Sequence, residues 1–253
     1  MQEEKDDVSS DGGIKFAKGR FAKWFENFWY HYKWHTLVSL FVIFVLVLCI
    51  GQCTSKPDYD AYFVYAGSGE VRGNRTENDI SEYEKICKSL NEAVEDFDDN
   101  GEVLSSLEAI YLLSEKEIIE KQESVKGTGN EFNYDRTNED DFRNRLYYSD
   151  VYIFLISDKI YGQYQVTEQG TAMFSPIRDL AKAGSDVVFY DDSAVYLHST
   201  KFGELPGLCD LPDDTLITLR SIGALSSHFD KDATKADYEN AKKVVANMIN
   251  YGK

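Results

Sequence analysis

Twenty consecutive residues without a charge, Thr36–Ser55, constrain this chain more than any other feature. As a helix, the run TLVSLFVIFVLVLCIGQCTS measures about 30 Å, the thickness of a bilayer core. It divides the 253 residues into a basic-aromatic tail (1–35), a transmembrane helix (36–55) and an acidic extracytoplasmic domain (56–253). A cleaved signal peptide has a short leading region and a small-residue cleavage site. Here 35 residues precede the run, and it ends in Leu48, Ile50 and Gln52, so it reads as a retained signal anchor. Leu48 before Cys49 and Gln52 before Cys53 also miss the small residue that a lipoprotein signal places there.

Charge orients the span. Lys15, Lys18, Arg20, Lys23 and Lys33 stand just before it against Glu26 alone. Basic residues close to a span mark its cytoplasmic side. The expected topology is a single-pass cell-membrane protein, N-terminus cytoplasmic and C-terminal domain extracellular. In the tail, Phe21, Trp24, Phe25, Phe28 and Tyr32 recur at helical spacing, and all three tryptophans (Trp24, Trp29, Trp34) lie there. Such rings settle in the headgroup layer of the lipid bilayer and set the depth of an anchor. The sharper alternative is a lipid sensor or a docking helix for a membrane partner.

The outer part is long enough for one sizeable core, and 43% hydrophobic residues is ordinary for a folded chain. A net charge of −17 argues against nucleic acid as a partner. Tyr59–Tyr65 (YDAYFVY) reads as a strand from its aromatic and β-branched content. Ser81 and Glu84 form a capping box that opens a helix to about Val94, with Tyr83, Cys87 and Leu90 on its apolar face. Val103–Leu113 reads as a strand, with a helix as the alternative; SEKEIIEKQESV reads as a helix, and residues 126–139 as a polar loop. A short helix is expected at Asp141–Tyr148. Val151–Ser157 (VYIFLIS) is an unbroken apolar run, which predicts a central strand buried on both faces. Helices are expected at Asp158–Tyr164, Ile177–Ala183 and Thr234–Tyr251. A hairpin is expected from Val187–Tyr190 and Ala194–His198, and a further strand at Leu216–Arg220. This alternation predicts an α/β domain of three layers around a mostly parallel sheet, behind one N-terminal transmembrane helix. For Cys87 and Cys209, a buried free thiol and a disulfide both stay open.

The run FRNRLYYSDVYIFLISDKIYGQYQ, followed by FSPIRDLAKAG, is similar to a segment in the first lobe of bacterial extracellular solute-binding proteins. In those lobes a helix and a short acidic turn precede an apolar strand; a second helix follows, and then a phrase that here is Pro176–Leu180. More broadly, the chain resembles uncharacterised single-span membrane proteins of Gram-positive bacteria with an aromatic-basic tail before the anchor. The resemblance implies an α/β lobe that binds a ligand. The chain has no room for a second lobe, so lobe closure within one molecule is not expected.

Asp96-Phe97-Asp98-Asp99-Asn100-Gly101-Glu102-Val103 matches the first half of a calcium loop, with Asp96, Asp98, Asn100 and Glu102 as the oxygen ligands. The closing bidentate acid falls on Leu107 instead, with Glu108 one position late, and an acidic turn leaving a helix accounts for the same residues. Ligand contacts are expected on the loops after the first and third strands. Gly67, Ser68 and Gly69 allow close backbone approach there, and Tyr161 and Tyr164 offer amphipathic contact groups. The histidines His31, His35, His198 and His228 have no partner at zinc-ligand spacing. Asn74-Arg75-Thr76 is a glycosylation triplet. No cofactor is implied apart from calcium. These features favour a non-catalytic binding or accessory module with a protein or cell-envelope partner. The alternatives are an envelope enzyme using dispersed carboxylates such as Asp158, Asp191 and Asp192, and a calcium-stabilised adhesion or assembly domain.

Overall fold

The strand VYIFLIS becomes the middle of the sheet. In a computed structural model, which describes residues 20–54, 58–69, 71, 81–126, 132–134, 136–166, 170–222 and 231–252, β3 (Ile153–Ser157) is buried at every position. The glycosylation triplet, His228 and the tail before Arg20 lie outside the described residues. Two compact units are present, Met1–Pro57 and Asp58–Lys253. The first contains one helix, α1 (Arg20–Thr54), of which Phe28–Ile50 is long and apolar enough to cross a membrane. A signal sequence near an N-terminus meets the same description.

The second unit is α/β. Its sheet has the order β2-β1-β3-β5-β4, where β1 is Ala61–Gly67, β2 Ser105–Tyr111, β4 Ala194–Tyr196 and β5 Thr215–Leu219. β1 pairs in parallel with β2 and with β3, whereas β5 runs antiparallel to both β3 and β4. The sheet is therefore mixed rather than mostly parallel. A parallel neighbour needs a long crossover, and helices supply one twice. α2 (Glu82–Asn91) links β1 to β2; α3 (Glu115–Val125) and α4 (Thr137–Tyr148) link β2 to β3. Between β4 and β5 lie only the 3-10 turns Leu197–Ser199 and Lys201–Glu204.

Helices cover both faces. On one, α2 and α6 (Lys231–Ile249) bury Ile86, Leu90, Val244, Val245 and Met248 against Phe63, Tyr65, Leu155 and Ile217. On the other, Phe142 and Leu146 of α4 pack with Val64, Ala66, Phe154 and Ile156. The starts of α2 and α3 follow their capping residues. Ser81 Oγ accepts the Glu84 amide at 3.2 Å, and Ser114 and Glu117 form the reciprocal box at α3. Other expected elements shrink. The helix after β3 is the single turn α5 (Asp158–Tyr161), and Ile177–Ala183 contains only a 3-10 turn at Arg178–Leu180. There Ile177 N–H is held by Asp192 O at 2.8 Å, so the segment follows the neighbouring chain rather than its own helix. The expected strand Val187–Tyr190 gives one bridge, Phe189 to Val195. Cys87 is half-buried and Cys209 exposed, and both thiols are free.

One buried charge ties sheet to helix. Arg220, 7% exposed, donates from Nη1 to Leu146 O at 2.9 Å and from Nη2 to Ser149 O at 2.6 Å. Its guanidinium also lies over the Tyr152 ring, 4.9 Å from the centroid. A cation here satisfies the orphan carbonyls at the C-terminal end of α4 and complements its dipole. Arg220→Ala is expected to lower unfolding stability by about 3 kcal/mol in urea titration, because it strands buried carbonyls. Arg220→Lys should recover less than half of that, since one ammonium lacks the planar fork that reaches both carbonyls.

Candidate functional site

The two ends of the sheet differ in how far they are closed. At the carboxyl end, the glycines after β1 serve the strand itself. Gly69 N–H donates to the Tyr65 hydroxyl at 3.0 Å, and a Cβ on Gly69 would lie 2.5 Å from that oxygen. Gly67 is similarly close, 2.8 Å from the same oxygen, so both glycines let the chain fold back over Tyr65. Burial pushes the Tyr65 hydroxyl up to about 12. Ser68 is half-exposed between them.

Tyr161 is buried and Tyr164 half-buried. Tyr161, 2% exposed, donates to Asp191 Oδ2 at 2.8 Å, and burial followed by that bond raises its hydroxyl well above the ordinary range. Tyr164 stacks edge-on against Phe142 at 5.2 Å and accepts from Arg143 Nε at 3.4 Å. The expectation of Tyr161 as an exposed contact group is corrected: its ring fills the core between Phe174 and Tyr190. Between these loops sits an ion network. Lys159 Nζ lies 2.9 Å from Glu117 Oε1 and 3.5 Å from Asp214 Oδ2, and Ser157 Oγ donates to Asp214 at 2.9 Å. Glu117 is fixed by its capping role, accepting from Ser114 N and Oγ at 2.9 and 2.7 Å. Burial pushes its carboxyl up, but Lys159 and Ser114 outweigh that and leave it lowered. Asp158 is raised, first by burial and then by Asp214.

The amino end is open. A groove of about 890 Å³ is lined by Glu108 of β2, by Asp141, Asn144, Arg145 and Tyr148 of α4, and by Ser149 and Asp150. A smaller hollow of about 120 Å³ lies between the start of β1 and α6, and its wall includes Asp60, Tyr62, Tyr152, Asp237 and again Asp150. β1 and β3 run the same way, so the segments that precede them, with Asp60 and Asp150, meet at one edge, and α4 and the middle of β2 extend the groove from there. Among the described residues the one base in either lining, Arg145, is committed to Glu108 at 2.6 Å. Burial, reinforced by Asp150, holds the Asp237 carboxyl above the usual range. Burial, then Asp150 and Asp58, raise the Tyr62 hydroxyl too. Tyr148 is 69% exposed and Tyr62 45%, so two rings stand unburied at the rim.

The acidic turn joins this edge. Asp96 and Asp98 come within 4.8 Å of each other and of Asp60. Asp60, next to the start of β1, lies far from the turn in sequence and was not expected in the set. The signal that could have found it is the parallel pairing of β1 and β2, which places their leading residues side by side. The carboxylates are already engaged by backbone. Asp60 accepts Phe97 N–H at 2.8 Å and Leu104 N–H at 3.0 Å, and Asp96 accepts Gly101 N–H at 2.8 Å. Asn100 turns its amide to Asp98 at 2.7 Å and accepts Glu102 N–H at 2.7 Å. The Gly101 amide leads in lowering the Asp96 carboxyl. The carboxylate of Glu102 is exposed and outside the triad, and strand β2 replaces the second helix of an EF-hand.

Comparison with protein families, with curated proteins and with solved structures found no match.

The two ends should respond oppositely to neutralisation. Glu117, lowered on folding, stabilises above the unfolded carboxyl range, and that contribution disappears as pH falls through its folded value. Glu117→Gln is therefore expected to lower Tm at pH 7, with the difference closing near pH 3. Asp237, raised on folding, has the reverse sign: its ionisation costs stability once pH rises through the folded value. Asp237→Asn is expected to raise Tm slightly at pH 7 and to leave it unchanged near pH 3, as read by circular-dichroism melts.

Proposed function

We propose that the protein is a membrane-anchored binding or accessory module, held by α1 with its N-terminus in the cytoplasm and the α/β domain on the extracellular side. The single observation that carries the binding part is the open groove at the amino edge, whose polar lining and exposed Tyr148 are not consumed by the core. Pockets of several hundred Å³ with convergent polar groups are the usual form of a ligand site. The topology rests on the uncharged span and its basic flank. Its counterpart is a protein or a cell-envelope component, and the groove side chains act by contact rather than by chemistry.

Two measurements test this. Protease added to intact cells should remove the domain beyond residue 56 and spare the tail; full protection of the domain would overturn the topology. Photocrosslinking from Tyr148 replaced by a benzophenone amino acid should trap an envelope component in cells. Loss of every adduct on competing wild-type overexpression supports a saturable site, and labelling as diffuse as from an exposed α3 position would overturn it.

A second reading draws on the Asp60–Asp96–Asp98 triad: calcium braces the turn between α2 and β2. Millimolar calcium should then raise Tm by several degrees, and Asp98→Asn should abolish the rise. An equal rise in the variant would refute the brace.

A further inference from the structure

We propose that the amino-edge groove receives a cationic peptide, with lysine or arginine side chains seated against Asp150 and the rim tyrosines. This deepens the binding reading above and rests on it. Asp150 is the residue common to the large groove and the small hollow, so a ligand spanning both passes over its carboxylate. Around it, Asp141 and Asp237 make no ion pair among the described residues, and the one arginine present is already tied to Glu108. Asp141 and Asp237 therefore carry no paired cation among the described residues, Asp150 has only the buried Arg220 behind it, and the rings of Tyr62 and Tyr148 stand beside them. A cation entering here gains from the carboxylates and from the faces of Tyr62 and Tyr148, two attractions that a neutral or acidic ligand lacks. The raised Asp237 carboxyl fits the same picture: burial and then the like charge of Asp150 raise it, and a bound cation relieves the repulsion between the two carboxylates.

Dimensions favour a peptide over a lone ion. A volume of about 890 Å³ is far larger than one coordinated cation needs and suits several side chains. The acids of the groove are spread along β2, α4 and the turn before β3, which is a spacing for separate positive groups. An exposed Asn144 between Asp141 and Arg145 offers an amide to peptide backbone.

The test is calorimetric titration of the full chain, in nanodiscs of phosphatidylcholine so that lipid charge does not compete, with chelator present to remove divalent cations. The probes are tetralysine, tetraglutamate and a neutral Gly-Ser peptide of equal length. Tetralysine is expected to bind, and the other two are not. Asp150→Asn should weaken tetralysine at least tenfold and Tyr148→Ser about threefold, while Glu115→Gln, an acid on α3 away from the groove, leaves it unchanged. Circular-dichroism melts verify that the variants fold, and Asp237→Asn, which should melt no lower than wild type, provides a second variant, in the adjoining hollow, with at least threefold weakening for a peptide that spans both. Equal weakening by Glu115→Gln means that overall charge alone attracts the peptide and overturns the proposal. So does tetralysine affinity that is indifferent to Asp150 and Asp237. Tighter binding of the neutral or acidic peptide, lost in Tyr148→Ser, overturns the cationic assignment but leaves the groove a binding site.

Discussion

Burial of β3 on both faces is the constraint from which the rest of the domain follows. A strand apolar up to its last residue, Ser157, needs apolar cover above and below, and an inner strand flanked by other strands and roofed by helices on each side has it. β1 and β5 supply the flanks, and the two core clusters supply the roofs. Once β3 is fixed, the parallel trio β2-β1-β3 puts three leading turns at one edge. The antiparallel β5 sends its own leading turn, with Asp214, to the opposite edge, where it meets Lys159. The distribution of charge between the two ends is thus a consequence of strand direction. At one end acids are paired with a lysine and capped; at the other they accumulate beside an open volume.

Arg220 connects that core to the groove. It sits just beyond β5, reaches across Tyr152 and takes hold of the carbonyls where α4 ends. The next residues out are Tyr148, Ser149 and Asp150, which form the groove wall. Without the guanidinium, the last turn of α4 would have to find water for its carbonyls, and the wall would lose its fixed support. Burial lowers the pKa of this cation, and Tyr152, the negative charge of Asp150 and the helix terminus offset part of that desolvation.

What could be read beforehand divides along a physical line. Local signals succeeded: the apolar run of β3, the aromatic-branched β1, and the cap residue Ser81 each act over a few neighbours. Direction did not, because TLITL has the same alternating fit to a sheet whether it runs with or against its neighbour; only the connection length shows the sign. The glycines at the end of β1 were legible as close-approach positions, and the group that approaches them in the fold is Tyr65 from within the same strand. Tyr161 followed the same pattern, since an amphipathic ring looks identical in sequence whether its hydroxyl meets solvent or Asp191. The groove acids could not be grouped at all, because Glu108, Asp141, Asp150 and Asp237 come from four separate segments. Asp60 joined the acidic turn for the same long-range reason.

The free edge of the sheet narrows how a partner can engage. β2 is an outer strand of seven residues without proline or bulge, the form most prone to recruit another strand. Side chains guard it. The Leu107 amide points at the Tyr83 hydroxyl and the Cys87 sulfur, partly offsetting the rise that burial gives both groups. At the other end of β2, Asn138 Nδ2 donates to the Tyr111 carbonyl at 2.8 Å. A peptide adding to this edge would have to break contacts at both ends before gaining its own ladder, so strand addition starts at a deficit. Engagement through side chains meets no such cost, because Glu108 turns inward toward Arg145 on the face where the groove lies, and Asp150 and Tyr148 already face open volume. If a cationic chain engages this domain as proposed, contacts at the β2 edge therefore make the acidic groove a cheaper surface for it than the open ladder.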